Sequence, residues 1–147
     1  MLDKTLNIRG TLTSLATPLV MGILNITPDS FYAGSRKQTE TAIEDRIREI
    51  LSEGGDWIDI GGYSSRSDAA EVTPEEEMRR LEFALHILNK HYPDIPVSVD
   101  TFRAGIARRC VEEYGAAIIN DISGGELDAD MFQTVADLKV PYIMMHM

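Results

Sequence analysis

Five short apolar runs, each ending in a polar residue or a glycine pair, constrain this chain more than any other feature of its 147 residues. They are Val20–Leu24 ending in Asn25, Trp57–Ile60 ending in Gly61-Gly62, and Val97–Val99 ending in Asp100. Ile118-Ile119 ending in Asn120-Asp121 and Tyr142–Met145 ending in His146 complete the set. A helix-length segment separates each run from the next. Strands joined through helices run parallel, because a helical crossover returns the chain to the same edge of the sheet. Parallel strands gather their carboxyl ends on one face, and such folds build their sites there. The pattern therefore predicts an architecture and the place of a site together.

Between the runs the punctuation is clear. Residues 5–9 and 11–15 alternate around Arg9-Gly10 and read as a small hairpin. After the first run, residues 26–38 form a polar loop with Pro28 and Gly34. A helix follows, carrying Ile43, Ile47, Ile50 and Leu51 at helical spacing and stopping at Gly54-Gly55. The loop 61–72 leads into a marked helix start, with Thr73 as N-cap, Pro74 at the first helical position and Glu76 completing a capping box. That helix lines up Met78, Leu81, Leu85 and Leu88 and ends before Pro93. A third helix holds Ile106, Val111 and Tyr114 and ends at Gly115; a shorter one spans about 128–138. Two closures fit five β-α alternations, a doubly wound open sheet and an eight-stranded barrel. Polar residues stand at nearly every strand end rather than at one switch point. That favours the TIM (β/α)8 barrel, here with its first five strands and their helices.

Composition narrows the function classes. Fourteen Lys and Arg against 24 Asp and Glu give a net charge of −10, which repels nucleic acid and anionic membrane. An anionic ligand must then be held by a local cluster of donors. Cys110 is alone, so no disulfide forms within the chain; it reads as a buried structural thiol and fits a reducing cytoplasm. The residues after Met1 lack a basic segment followed by an apolar one, and no apolar run approaches the ~20 residues of a membrane span. A cytoplasmic location is expected.

Three constellations could carry chemistry. Asn25-Ile26-Thr27-Pro28-Asp29-Ser30-Phe31 is a turn by composition, yet a turn needs neither the amide at the strand end nor the aromatic beyond it. Gly61-Gly62-Tyr63-Ser64-Ser65-Arg66 offers close backbone approach, hydroxyls and a guanidinium, which suits a phosphate or pyrophosphate; the alternative is a flexible loop with a solvated arginine. No GxGxxG or GxxxxGK[ST] pattern is present, so a nucleotide P-loop is not supported. Asp59, Asp100 and Asn120 form the third, with Asp59 pointing inward at the barrel mouth. Such a set suits a flat heterocycle bearing amino and ring N–H donors. For Asp100 the alternative is a helix cap. His146 reads as a structural or packing residue rather than a base.

In register, MGILNITPDSF (Met21–Phe31), DIGGYSSR (Asp59–Arg66), VSVDT (Val97–Thr101), INDISG (Ile119–Gly124) and Tyr142–Met147 resemble the N-terminal half of dihydropteroate synthase. This is a pterin-binding transferase of folate biosynthesis and a sulfonamide target. The likeness covers almost the whole chain from residue 5. It implies that p-aminobenzoate condenses with 6-hydroxymethyl-7,8-dihydropterin pyrophosphate, giving 7,8-dihydropteroate and pyrophosphate. It also implies Asn25, Asp29 and Arg66 as catalytic residues, with Asn25 binding Mg²⁺ at the pyrophosphate and Ser65 and Arg66 on the diphosphate. Asp100 and Asn120 would bond the pterin, Ile122 and Met145 would pack on it, and Asp59 would lie nearby. Thr27 to Phe31 would close over the site and help form the p-aminobenzoate pocket. A homodimer is the family expectation.

Two departures stand out. The family usually has proline directly after the arginine of the second loop, where this chain has Ser67-Asp68, which puts the p-aminobenzoate pocket and the sulfonamide response in question. A full barrel also needs about 250 residues. Residues 1–147 are therefore expected to be the N-terminal part of a single pterin-binding barrel domain, inactive alone. A pterin- or folate-binding methyltransferase domain shares the barrel and the pterin-facing Asp and Asn; Thr27–Phe31 and Ser64-Ser65-Arg66 argue against it. A non-catalytic half-barrel binding fragment is the remaining alternative.

Overall fold

The computed structural model describes residues 4–26, 36–63 and 71–146. Strands β1 (Thr5–Ile8) and β2 (Thr11–Ser14) form the expected hairpin, with Arg9 and Gly10 both at positive φ in a two-residue turn. Five parallel strands follow: β3 (Met21–Asn25), β4 (Trp57–Gly61), β5 (Val97–Asp100), β6 (Ile118–Asp121) and β7 (Tyr142–Met144). They lie side by side in the order β3-β4-β5-β6-β7. A doubly wound sheet must reverse direction at a switch point. Here every strand is added on the same side, so the sheet is an arc of a β/α barrel.

The helices α1 (Arg36–Ser52), α2 (Pro74–His91), α3 (Ala104–Tyr114) and α4 (Met131–Leu138) all cover one face. Alternate strand residues Leu24, Ile58, Ile60, Val97, Val99 and Ile119 point to that face and join Ile47, Leu81, Leu85 and Leu88 in the main core. Close approach of α1 to β3 depends on Gly22, where a Cβ would sit 2.3 Å from Ile50 Cγ2. Thr73 caps α2, its Oγ1 accepting from the Glu76 N–H at 3.2 Å. The Glu76 carboxylate turns forward to Arg79 and Arg80 at 2.8 Å each, so only the Thr73 half of the expected capping box is present. Gly115 ends α3 in the left-handed conformation, as its position predicts. Cys110 is fully buried, and burial pushes its thiol up to about 12, which fits a structural residue. No helix among the described residues is long and apolar enough to cross a membrane.

The opposite, inward face divides along the strand axis. At its amino end the hairpin packs on it: Ile8 joins Trp57, Ala117 and Ile118 in a second apolar cluster. Arg9 fixes the hairpin tip by donating to the Gly115 and Pro93 carbonyls at 3.2 and 2.9 Å, both just ahead of strands. The carboxyl end of the same face is left to polar groups.

Candidate functional site

Parallel register sets the inward-facing residues in two rungs. The outer rung runs Asn25, Gly61, Asp100, Asn120, Ile143, and the inner one Ile23, Asp59, Ser98, Ile118. Gly61 leaves a gap in the outer rung. A Cβ there would sit 3.6 Å from both Asn25 Oδ1 and Asp100 Oδ2, so two oxygens flank an open position. Asp59 and Asn120 are buried and joined, Asn120 Nδ2 donating to Asp59 Oδ2 at 3.2 Å. This brings Asn25, Asp59, Asp100 and Asn120 together as the sequence predicts.

The cluster is polar but incompletely satisfied. Asp59 Oδ1, Ser98 Oγ and Asn120 Oδ1 are buried without a hydrogen-bond partner among the described residues. Each such atom costs roughly 1–3 kcal/mol unless something bonds it. Burial raises the Asp59 carboxyl above its ordinary range, only partly offset by the Ser98 hydroxyl, which lies nearby outside hydrogen-bonding geometry, and by the Asn120 amide. Asp100 is pushed up to about 7 by burial first, then by the charges of Asp59, Glu77 and Asp121. Donors such as amino and ring N–H groups would relieve both carboxyls and the orphan acceptors. Clustered groups of this kind, raised by burial and like charge, mark a candidate functional site.

Asp100 is not a helix cap. The first free N–H of α3, on Ala104, donates to Asp128 Oδ2 at 2.7 Å, and the Arg103 N–H goes to Thr101 Oγ1 at 3.2 Å. With the helix end supplied from elsewhere, the Asp100 carboxylate has no hydrogen-bond partner among the described residues. Directly behind it lies a network the sequence did not announce. Glu77 is wholly buried, accepts from Thr101 Oγ1 at 2.7 Å and pairs with Arg103. Its only sequence signal is a charge on the stripe that continues through Leu81 and Leu85. Ser98 also escaped notice, although it stands two residues before Asp100 and so shares its face.

On the far side, Asp121 is buried and organises the connection after β6. Its carboxylate accepts from the Ser123 N–H and hydroxyl at 2.8 Å, the Gly125 N–H at 2.9 Å and Tyr142 Oη at 2.7 Å. Its carbonyl takes the Met145 N–H at 3.0 Å. Ile122, half-buried, and Met145, 40% exposed, are thereby fixed beside Asn120 and β7. Ser123, Gly124, Met144, Met145 and His146 line a recess of about 200 Å³ there. His146 is exposed. A larger cleft of about 430 Å³ lies between α1 and α2 and contains no residue of either rung. Thr27, Asp29, Phe31, Ser65, Arg66 and the pair Ser67-Asp68 lie outside the described residues.

Comparison with known proteins decides what this geometry belongs to. Residues 21–147 match the family described as pterin binding enzyme. The chain belongs to that family. The folic acid synthesis protein fol1 of Pneumocystis carinii is 45% identical over 132 residues, 90% of this chain and 18% of that protein. The dihydropteroate synthase of Bacillus subtilis is 41% identical over 128 residues, 87% of this chain and 44% of its own length. The Xanthomonas albilineans dihydropteroate synthase solved with 4-aminobenzoic acid superposes with a TM-score of 0.83 at 37% identity, covering 99% of this chain and 52% of that one. The same enzyme with 7,8-dihydropteroate gives 0.79 at 36%, covering 98% and 51%. The chain thus spans about half, or less, of the relatives it matches. The shared fold makes the five-stranded arc part of a barrel.

Within a pterin-binding barrel, the donor set at the outer rung also fits a hard cation. Asn25 is exposed at the end of β3, and its Oδ1 is an oxygen donor beside the Gly61 gap. Mg²⁺ takes few protein oxygens and completes its shell with water and substrate phosphates. One amide oxygen at the rim suits that habit.

Proposed function

We propose that residues 1–147 form the amino-terminal half of a dihydropteroate synthase barrel domain, joining p-aminobenzoate to 6-hydroxymethyl-7,8-dihydropterin pyrophosphate. The observation that carries this reading is the inward cluster of Asp59, Asp100 and Asn120 with buried, unpartnered atoms in a pterin-binding fold. Asp100 and Asn120 would hold the amino and ring N–H edge of the pterin, with Asp59 behind them and Ile122 and Met145 as its apolar wall. The arylamine is the nucleophile: its nitrogen bonds to the exocyclic methylene, the carbon–oxygen bond to diphosphate breaks, and the amine loses a proton. No nucleophilic side chain is needed, which agrees with an inert, buried Cys110. The protein's part is to orient the pterin and to receive the leaving anion. Asn25 would hold Mg²⁺, which supplies neutralising charge for the diphosphate when bound. In this reading Ser65 and Arg66 meet that diphosphate, Asp29 joins Asn25 and Arg66 in the catalytic set, and Thr27 and Phe31 shape the arylamine pocket. Sulfonamides would compete there. A cytoplasmic location and a homodimer of the complete protein belong to the same reading.

The test is pyrophosphate release from both substrates with Mg²⁺. It is run with residues 1–147 alone, and with the same residues fused to the carboxyl-terminal half of the Bacillus subtilis enzyme. The fusion is expected to turn over and the half to be silent. Release by residues 1–147 alone would overturn the incomplete-site part of the proposal. A fusion that prefers a methylated folate to the pterin pyrophosphate would instead favour the methyltransferase reading.

A further inference from the structure

The wholly buried Glu77 lies outside the two rungs, yet its partners tie together the strand ends that carry them. Its Oε1 accepts from Thr101 Oγ1, the residue after Asp100, at 2.7 Å, and its other oxygen pairs with Arg103. Arg103 in turn donates to the Val72 carbonyl at 2.9 Å and lies over the rings of Tyr63 and Phe102, at 5.3 and 4.8 Å from their centroids. Those two rings meet edge to face at 5.2 Å. Arg80, also buried and paired with Glu76 at 2.8 Å, donates to the Gly62 carbonyl at 3.0 Å. Gly62 has no room for a side chain, since a Cβ there would come to 3.0 Å from the Glu77 carbonyl oxygen. The start of α2, the carboxyl end of β4 and the carboxyl end of β5 therefore meet at one ion pair, between the wholly buried Glu77 and the half-buried Arg103.

Stability is a weak reason for such a pair. Burying two charges costs several kcal/mol per ion, and apolar replacements are often neutral or better. What this one provides is geometry. Arginine presents a planar fork that serves Glu77 and the Val72 carbonyl while its cation lies over the Phe102 and Tyr63 rings, a combination a lysine cannot reproduce. We propose that Arg103, seated on Glu77, is a positioning residue that locks Gly61–Tyr63 and Asp100–Thr101 into one rigid unit, so that the Gly61 gap and the Asp100 carboxylate keep the spacing a pterin requires. The residue touches no ligand itself; it acts through Thr101 and Tyr63. This deepens the pterin-site reading and rests on it.

The experiment compares wild type, Arg103→Lys and the Glu77→Gln/Arg103→Gln pair in residues 1–147 fused to the carboxyl-terminal half of the Bacillus subtilis enzyme. The paired change leaves no charge buried alone, so it separates positioning from folding. Two readouts are taken: affinity for 6-hydroxymethyl-7,8-dihydropterin pyrophosphate, and amide hydrogen exchange at Ile26 and Thr101. These N–H groups bond the Gly61 and Asn120 carbonyls at 2.9 and 3.0 Å. The paired variant is expected to unfold as cooperatively as wild type, bind the pterin about tenfold or more weakly, and exchange faster at both amides. Arg103→Lys should fall between the two. A paired variant that binds within about twofold of wild type and keeps both amides protected overturns the proposal. Where wild type itself binds no pterin, the pterin reading fails, and the exchange data alone decide whether Arg103 locks the two strand ends.

Discussion

The two ends of the inward sheet face are built from the same strands to opposite standards. At the amino end, Ile8, Trp57, Ala117 and Ile118 close a dry apolar cluster under a hairpin. At the carboxyl end, Asp59, Ser98 and Asn120 are equally buried, yet each has a polar atom without a partner, and Asp100 is held at an unfavourable charge balance. Two residues along a strand separate a group chosen for packing from one left without a partner among the described residues. The difference teaches where stability is made in this fold and where it is given up. Orphaned polar atoms at one end are tolerable because no other buried side-chain polar atom among the described residues lacks a partner.

The largest test of that contrast is at the hairpin. Ile8→Ala should cost about 3 kcal/mol of stability, the usual loss for a buried aliphatic truncation, while pterin affinity changes by less than about threefold. Chemical denaturation and ligand titration read the two separately. Equal losses in both would mean that the ends are not independent.

Next in size is Asp100. Its carboxyl holds a proton more tightly in the folded chain than in the unfolded one, about 7 against an ordinary 3.8. Such a group favours folding below the lower value, and that contribution disappears as pH rises through 7. Asp100→Asn should therefore raise stability at pH 7.5 by roughly 2 kcal/mol, a figure reduced from the full shift because the group is partly solvated, and by little at pH 4. The same variant should bind pterin poorly. An Asp100→Asn chain that is less stable at pH 7.5 than wild type would show the carboxylate to be structural.

Ser98→Ala is the smallest. Ser98 Oγ has no partner at hydrogen-bonding geometry among the described residues and offsets only part of the Asp59 burial, so its removal should change stability by less than about 1 kcal/mol. A loss above about 1 kcal/mol would show that Ser98 is satisfied in the free protein. The contrast between the two ends would then be weaker than drawn.

Much of this was legible in the sequence because the code for it is local. Strand ends, helix stripes, the Thr73 cap and the Gly115 stop each depend on neighbours within a few residues. Asp59, Asp100 and Asn120 showed as polar residues where apolar runs end. What stayed hidden depends on which strands lie side by side. Glu77 meets Arg103 26 residues away, and Asp128 caps a helix that begins 24 residues earlier. No spacing announces such partners until the order β4-β5-β6 is known. Ser98 looked like a strand residue because its lack of a partner is a property of the packed face.

The most direct measurement is calorimetric titration of 6-hydroxymethyl-7,8-dihydropterin pyrophosphate, with Mg²⁺, into residues 1–147 fused to the carboxyl-terminal half of the Bacillus subtilis enzyme and into the Asp100→Asn/Asn120→Leu variant of that fusion. If the inward carboxyl-end cluster is the pterin site, the variant binds at least about a hundredfold more weakly, as expected for two lost bonds of about 1.5 kcal/mol each, while it still unfolds in one cooperative transition. A variant that keeps wild-type affinity within about threefold would contradict the account.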